Sequence, residues 1–143
     1  MKRILVATDG SEGAGRAVDA AARLAAELRA ELWIVNVMDG ISDEELGRIA
    51  QVENSSIGEV VGALSDQILL AAKDRALRLG PLSIHLKSRS GDLAQAILDT
   101  AGEIGAEAIF AGKRGRSRLA GILLGSVSQK LASLASCMVV IVP

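Results

Sequence analysis

A glycine-rich, cationic stretch over residues 111–129 holds the side chains best suited to binding an anion. Four glycines and four basic residues alternate closely in it: Gly112, Gly115, Gly121, Gly125, Lys113, Arg114, Arg116 and Arg118. Glycines let main-chain N–H groups approach a ligand, and the basic side chains raise the local concentration of anions. Gly125-Ser126 begins a predicted helix, whose N-terminus offers unpaired N–H donors. The stretch indicates a phosphate-binding loop, and a cationic surface loop capped by Ser126 is the alternative that spacing leaves open.

A second candidate is the turn at residues 8–10, which follows a short apolar run. Its aspartate, Asp9, could bind a ribose hydroxyl or a metal ion held by phosphates, or could accept backbone N–H bonds as a turn residue. Other reactive side chains stand alone: His85 is the single histidine, and Cys137 is the single cysteine. Ser126 has no evident base beside it. We therefore predict no catalytic residue, no other metal site and no efficient enzyme.

Composition limits the class of protein. The chain has 143 residues, 50% of them hydrophobic, and a net charge of −1, as expected for one domain with an ordinary core. Nucleic-acid binding is not expected, because there is no broad basic excess and Trp33 and Phe110 are the only aromatic residues. A lone cysteine suits a reducing compartment, and no segment approaches the ~20 apolar residues of a membrane span. We expect a cytoplasmic protein without membrane contact.

Hydrophobic periodicity predicts an α/β fold that positions the two loops. Strands are predicted at 3–7, 31–38, 83–88, 106–111 and 138–142, and helices from an N-cap at Ser11 to Leu28, near 43–52, and at 57–79, 92–104 and 126–135. Strands that alternate with helices imply a doubly wound parallel sheet with helices on both faces. The order 3-2-1-4-5 makes strands 1 and 4 neighbours, so that both loops serve one site. The half-polar strand at 83–88 then lies at an edge.

The segment that follows the second predicted strand is less regular. Residues 39–56 are acidic and are the only candidate for disorder. Ser56 and Glu59 have the spacing of a capping box, which predicts where the long helix begins. Its expected core stripe consists of Ile57, Val60, Val61, Leu64, Ile68 and Ala71.

The spacing Gly112-x2-Gly115-x9-Gly125-Ser126 resembles the nucleotide-binding signature of the universal stress protein family. The opening "RILVATDGSEGAGRAVDAAARLA" and the closing "CMVVIVP" are also similar to the first and last elements of that family. The resemblance covers 1–143 as a single domain. It implies a stress-response regulatory protein that binds ATP or a related adenine nucleotide, with Mg possible on the phosphates and at most slow hydrolysis. Lys113 departs from the family pattern, in which a small residue is common there.

The resemblance also implies the site residues, carried over by position. Ala7, Asp9 and Val37 would line the adenosine end, Ala111, Gly112 and Gly115 the ribose–phosphate path, and Gly125, Ser126 and Val127 the phosphates. A homodimer through the strand at 138–142 is expected both from the family and from the apolar edge that this strand would leave open. The alternative function is a dimeric interaction protein of the same fold that binds no nucleotide. Protein partners are not predicted.

Overall fold

A computed structural model describes residues 1–38, 48, 51, 56–81, 83–113 and 124–143. Its strands are β1 Arg3–Ala7, β2 Glu31–Met38, β3 Ser83–Ser90, β4 Ala108–Gly112 and β5 Met138–Val142, and its helices are α1 Glu12–Leu28, α2 Ile57–Leu77, α3 Leu93–Ile104 and α4 Ser126–Leu134. The strands form one sheet in the order β3-β2-β1-β4-β5, and every pair is parallel. The predicted fold class and strand order are confirmed.

Alternate residues of the central strands bury against opposite helical layers. Ile4 and Val6 of β1 face a core built with α1 and α2, whereas Leu5 faces a core built with α3 and α4. Both faces of β1 are fully buried, because a parallel sheet with crossover helices is covered on each side. This explains why the central strands are continuous apolar runs in the sequence.

The predicted N-caps at Ser11 and Ser56 are confirmed, whereas the helix predicted at 57–79 ends at Leu77. The Ser11 hydroxyl accepts the N–H of Ala14, and the Ser56 hydroxyl accepts the N–H of Glu59. Gly105 ends α3 in the left-handed conformation, with φ of 68°. Of the predicted helix near 43–52, the described residues include only 48 and 51, so the rest of it lies outside the description.

The core stripe of α2 differs from the prediction. Among the side chains that the structure describes on this helix, the buried ones are Val60, Ser65, Leu69, Ala72 and Ala76. Val60 is buried as predicted, Leu64 and Ile68 are half-buried and Ala71 is exposed, whereas the side chains of Ile57 and Val61 lie outside the description. Periodicity identified the face only in part, because that face includes a serine, which burial tolerates only where the hydroxyl finds partners.

Gly15 leaves room on α1 for the Arg75 guanidinium of α2. A Cβ atom at Gly15 would meet the Arg75 guanidinium, whose Cζ would be 2.9 Å away. Arg75 Nε and Nη2 donate to the two carboxylate oxygens of Asp19 at 2.6 and 2.7 Å. These bonds and the Arg75 charge hold the pKa of Asp19 below its usual value.

The two edges of the sheet have different chemistry. β3 carries His85, Lys87 and Arg89 on the face that bears Trp33 of β2. The rings of Trp33 and His85 stack with their centroids 4.3 Å apart, and Lys87 Nζ lies 5.6 Å from the Trp33 ring centre. β5 is wholly apolar, and Met138 at its start is 56% exposed. The predicted edge position of the strand with the polar face is confirmed.

Among the described helices, none has the length and apolar character needed to cross a membrane.

Candidate functional site

The strand order brings the two predicted loops to one edge of the sheet. β1 pairs with β4 up to Val6 and Phe110, so that Ala7 and Ala111 follow directly in neighbouring strands. The turn that follows β1 and the segment that follows β4 therefore leave the sheet side by side. This is the position at which doubly wound sheets bind ligands.

Four of the predicted site residues share the sheet face covered by α3 and α4. Val37 and Ala111 belong to the buried core on that face, with 7% and 5% exposure. Ala7 and Val127 are partly buried and pack against the same core. All four side chains are apolar, and we name Ala7, Val37 and Ala111, which lie at the carboxyl ends of their strands, the apolar wall.

The turn after β1 is built by its own side chains. Asp9 Oδ1 accepts the N–H of Ser11 at 2.9 Å, and Thr8 Oγ1 accepts the N–H of Gly10 at 3.1 Å. Gly10 has φ of 82°, a left-handed conformation that favours glycine. Of the roles that the sequence left open for Asp9, the turn-forming one is therefore observed, and it orients the carboxylate at the end of β1.

Gly112 has a packing role that the sequence did not reveal. A Cβ atom there would lie 3.1 Å from the Gly13 carbonyl carbon and 3.2 Å from the Ala14 nitrogen. A side chain there would push the end of β4 and the first turn of α1 apart by a few tenths of an ångström. The glycine thus brings the two halves of the candidate site together.

The end of β4 and the start of α4 are joined by hydrogen bonds of Lys113. The Lys113 carbonyl accepts the N–H of Gly125 at 2.9 Å, and the Lys113 N–H donates to the Val142 carbonyl at 2.8 Å. The buried Ser128 hydroxyl lies 2.9 Å from the carbonyl oxygens of both Gly112 and Lys113. The first turn of α4 is thereby tied to the end of β4. Gly115 and the arginines at 114, 116 and 118 lie outside the described residues.

The N-terminus of α4 differs from those of α1, α2 and α3. Those three helices are capped by the side chains of Ser11, Ser56 and Asp92. The N-cap of α4 is Gly125, which has no side chain to accept the first-turn N–H groups. Ser126 is the first helical residue, so the alternative in which Ser126 caps the helix is not observed. An anion would supply the acceptor that the N-cap lacks.

All 143 residues, 1–143, match the universal stress protein family. The chain belongs to this family. Among its relatives is universal stress protein YxiE of Bacillus subtilis, which is 37% identical over an aligned length of 145 residues. The alignment covers 98% of this chain and 97% of the relative. The family resemblance drawn from the glycine spacing is therefore confirmed.

Solved structures of universal stress proteins share the fold. A universal stress protein in complex with cAMP has 30% identity and a TM-score of 0.73, with coverage of 99% of this chain and 95% of the other. The Archaeoglobus fulgidus universal stress protein in complex with dAMP has 24% identity and a TM-score of 0.68, with coverage of 100% and 98%. The second likeness supports the fold alone.

Buried polar residues beside the site were missed by sequence reasoning. Thr8, Asn36, Ser65 and Ser128 are at most 6% exposed. The available signal was a polar residue inside an otherwise apolar strand or stripe, as with Asn36 in "ELWIVNVM". A buried polar residue needs hydrogen-bond partners, so its presence in an apolar strand indicates a specific hydrogen-bond network.

The remaining reactive side chains form no second centre. Burial raises the pKa of the Cys137 thiol, and its side chain packs against the core under α3 and α4. Cys137 therefore packs as a small apolar residue. No cluster of three histidine, cysteine or acidic residues suited to a metal occurs in the part of the chain that the structure describes.

Proposed function

We propose that this universal stress protein binds an adenine nucleotide, ATP in particular, and acts as a dimeric stress-response regulator that hydrolyses ATP slowly at most. The adenine would rest on the wall formed by Ala7, Val37 and Ala111. The phosphates would accept N–H bonds from the first turn of α4, at Ser126 and Val127. Asp9 would contact the ribose or a Mg ion carried by the phosphates.

The observation that carries this proposal is the N-terminus of α4. Its N-cap, Gly125, has no side chain to accept the first-turn N–H groups. The same turn is hydrogen-bonded to Lys113, from which the arginine-bearing segment departs. Uncapped donors, a helix dipole and nearby cations together favour a multiply charged phosphate chain.

The relatives support an adenine nucleotide rather than another anion. The universal stress protein in complex with cAMP is 30% identical to this chain and covers 99% of it. That ligand contains the adenine, ribose and phosphate that the apolar wall, Asp9 and α4 would contact. ATP adds two phosphates, for which the cationic segment beside Lys113 supplies counter-charge.

Calorimetric titration with Mg-ATP tests the proposal, together with mass spectrometry of any nucleotide that co-purifies. We expect ATP to bind more tightly than GTP, because guanine carries an additional polar group that the apolar wall cannot hydrogen-bond. We expect ATP to bind more tightly than AMP, because α4 and the cations would contact the added phosphates. Repeating the ATP titration in EDTA measures the contribution of Mg. If no heat of binding and no nucleotide are found, the dimeric interaction protein without a nucleotide becomes the better account.

The dimer in this proposal would form through β5. The strand is apolar along its length, lies at the sheet edge and exposes Met138. An apolar edge with unpaired backbone groups favours pairing with another strand, and a two-fold axis would pair it with its own copy.

A further inference from the structure

A chain of hydrogen bonds crosses the sheet on the α2 side and ends on the turn after β1. Asn36 Nδ2 donates to the Thr8 carbonyl oxygen at 2.9 Å. The Ser65 hydroxyl donates to Asn36 Oδ1 at 2.9 Å, and the hydroxyl oxygens of Ser65 and Ser88 are 2.6 Å apart. Asn36 and Ser88 are register partners in β2 and β3, and Ser65 of α2 contacts both. We name this chain of Thr8, Asn36, Ser65 and Ser88 the relay.

The donors and acceptors fix the direction of the relay. The Thr8 carbonyl can only accept, so it selects the Nδ2 end of the Asn36 amide. Asn36 Oδ1 then faces Ser65, and because Oδ1 can only accept, the single O–H of Ser65 must donate to it. Ser65 retains only lone pairs toward Ser88, so Ser88 must be the donor in their bond. All three bonds point from the edge strand toward the turn, and bonds in such a chain strengthen one another.

The relay holds the peptide of Thr8 from the side opposite the apolar wall. The Thr8 N–H donates to the Val35 carbonyl at 2.9 Å, which extends the β1–β2 ladder by one bond. The Thr8 carbonyl accepts from Asn36, and Thr8 Oγ1 accepts from Gly10. Asn36 and Ser65 are 1% and 0% exposed, so water cannot readily replace a lost partner. A shift of Asn36 would therefore move Thr8 and Gly10, and with them Asp9.

We infer that Ser88, Ser65 and Asn36 are positioning residues that set the nucleotide affinity of the site by holding this turn. The inference rests on the proposed function and names how the same site is controlled. When residue 88 donates a hydrogen bond to Ser65, the Ser65 hydroxyl keeps its own hydrogen bond to Asn36 Oδ1. When residue 88 can only accept hydrogen bonds, the Ser65 hydroxyl donates to residue 88 instead. Asn36 then loses its bond from Ser65. Ser88 is exposed, so its hydroxyl is accessible to chemical modification from the solvent.

Substitutions at the two serines test the direction of the relay by calorimetric titration with Mg-ATP. Ser65→Ala and Ser88→Asp should each raise the Kd on the order of tenfold, because each removes the donor to Asn36. Ser88→Thr and Ser88→Ala should stay within about threefold, because Ser65 keeps its proton for Asn36. Ser88→Asp added to Ser65→Ala should cause no further loss, since both act through one bond.

Two controls separate the relay from charge and from general destabilisation. Ser90→Asp adds the same charge two residues along β3 and should leave the Kd unchanged. Thr100→Ala removes an equally buried hydroxyl, which donates to the Ala96 carbonyl within α3, and should lower stability only. Equal weakening by Ser88→Asp and Ser88→Ala, or by Ser88→Asp and Ser90→Asp, would overturn the inference.

Amide hydrogen exchange without nucleotide makes the test independent of the proposed function. Exchange at the Gly10 N–H should accelerate in Ser65→Ala and Ser88→Asp and stay unchanged in Thr100→Ala. If the wild type binds no ATP, the proposed function fails, while the Gly10 exchange still decides whether the relay holds the turn. If ATP binds and Ser65→Ala alters neither its affinity nor Gly10 exchange, the relay is refuted and the proposed function stands.

Discussion

Replacing Ser126 with proline removes one backbone donor from the proposed phosphate site with little change to the fold. Ser126 is the first residue of α4, where proline is well tolerated because its N–H has no intrahelical acceptor. Gly125 before it has φ of −71° and ψ of 166°, an extended conformation compatible with a following proline. The side chain of Ser126 is exposed, so the ring would meet no core. We expect the free energy of unfolding to change by about 0.5 kcal/mol or less.

The loss of affinity can be worked out from the donors removed. Ser126→Ala removes the hydroxyl and should cost about 1–3 kcal/mol of ATP binding, the range for a hydrogen bond to a charged group. Ser126→Pro removes the N–H as well and should cost a further ~1.5–3 kcal/mol. The proline variant should therefore bind Mg-ATP on the order of 10-fold to 150-fold more weakly than the alanine variant.

Calorimetric titration of both variants, with thermal melts of each, measures the difference. The alanine variant is the matched control, because it differs from the proline variant mainly in the backbone donor. Equal affinities for the two variants, with unchanged melts, would mean that the Ser126 N–H contacts no phosphate. The reasoning from the N-terminus of α4 would then be refuted.

Three further outcomes follow from the fold. Gly112→Ala should lower the melting temperature, because its Cβ would lie 3.1 Å from the Gly13 carbonyl carbon, and an unchanged melt would contradict the close approach. Arg75→Met should cost about 0.2–1 kcal/mol at pH 7 in urea unfolding, since the pair with Asp19 is partly exposed. The pKa of Asp19 is lowered in the folded state, so this difference should be complete above about pH 5 and shrink as the pH falls through the folded pKa; a constant difference would refute it. Light scattering should give a dimer mass at micromolar concentration and a lower mass for Met138→Asp, and a monomeric wild type would exclude pairing through β5.

The edge position of β3 could be predicted because its determinants are local. The alternation of Ile84 and Leu86 with His85 and Lys87 identifies a strand with one polar face, which fits an edge position. The rest of the order was predicted from the requirement that the loops after strands 1 and 4 serve one site, because β5 at the other edge is as apolar as the central strands. Helix ends were equally local, because the cap of α1 requires only Ser11 and the N–H three residues later.

The contacts around the site could not be predicted because they join distant parts of the chain. The hydrogen-bond partners of Asn36, Thr8 and Ser65, are 28 and 29 residues away in the sequence. Nothing near Asn36 in the sequence therefore indicates that its side chain is hydrogen-bonded. Gly15 has the appearance of a helix-weakening residue until the Arg75 guanidinium is placed against it. Hydrophobic periodicity identifies which face of an element is apolar, but it does not identify a polar residue that is buried on that face.

The unlike edges of the sheet determine how many copies could join. Pairing of β5 with β5 about a two-fold axis would use up that edge in both copies, so growth would stop at two. Pairing of β5 with β3 would instead leave a free β5 and a free β3 at the two ends, and the contact would repeat into a fibre. Lys87 opposes this, because its charge would be brought against an apolar strand that offers no counter-charge, whereas Arg89 is already paired with Glu103 at 2.7 Å. We therefore expect the β3 edge to disfavour fibre growth, and Lys87→Val to favour the assembly of filaments.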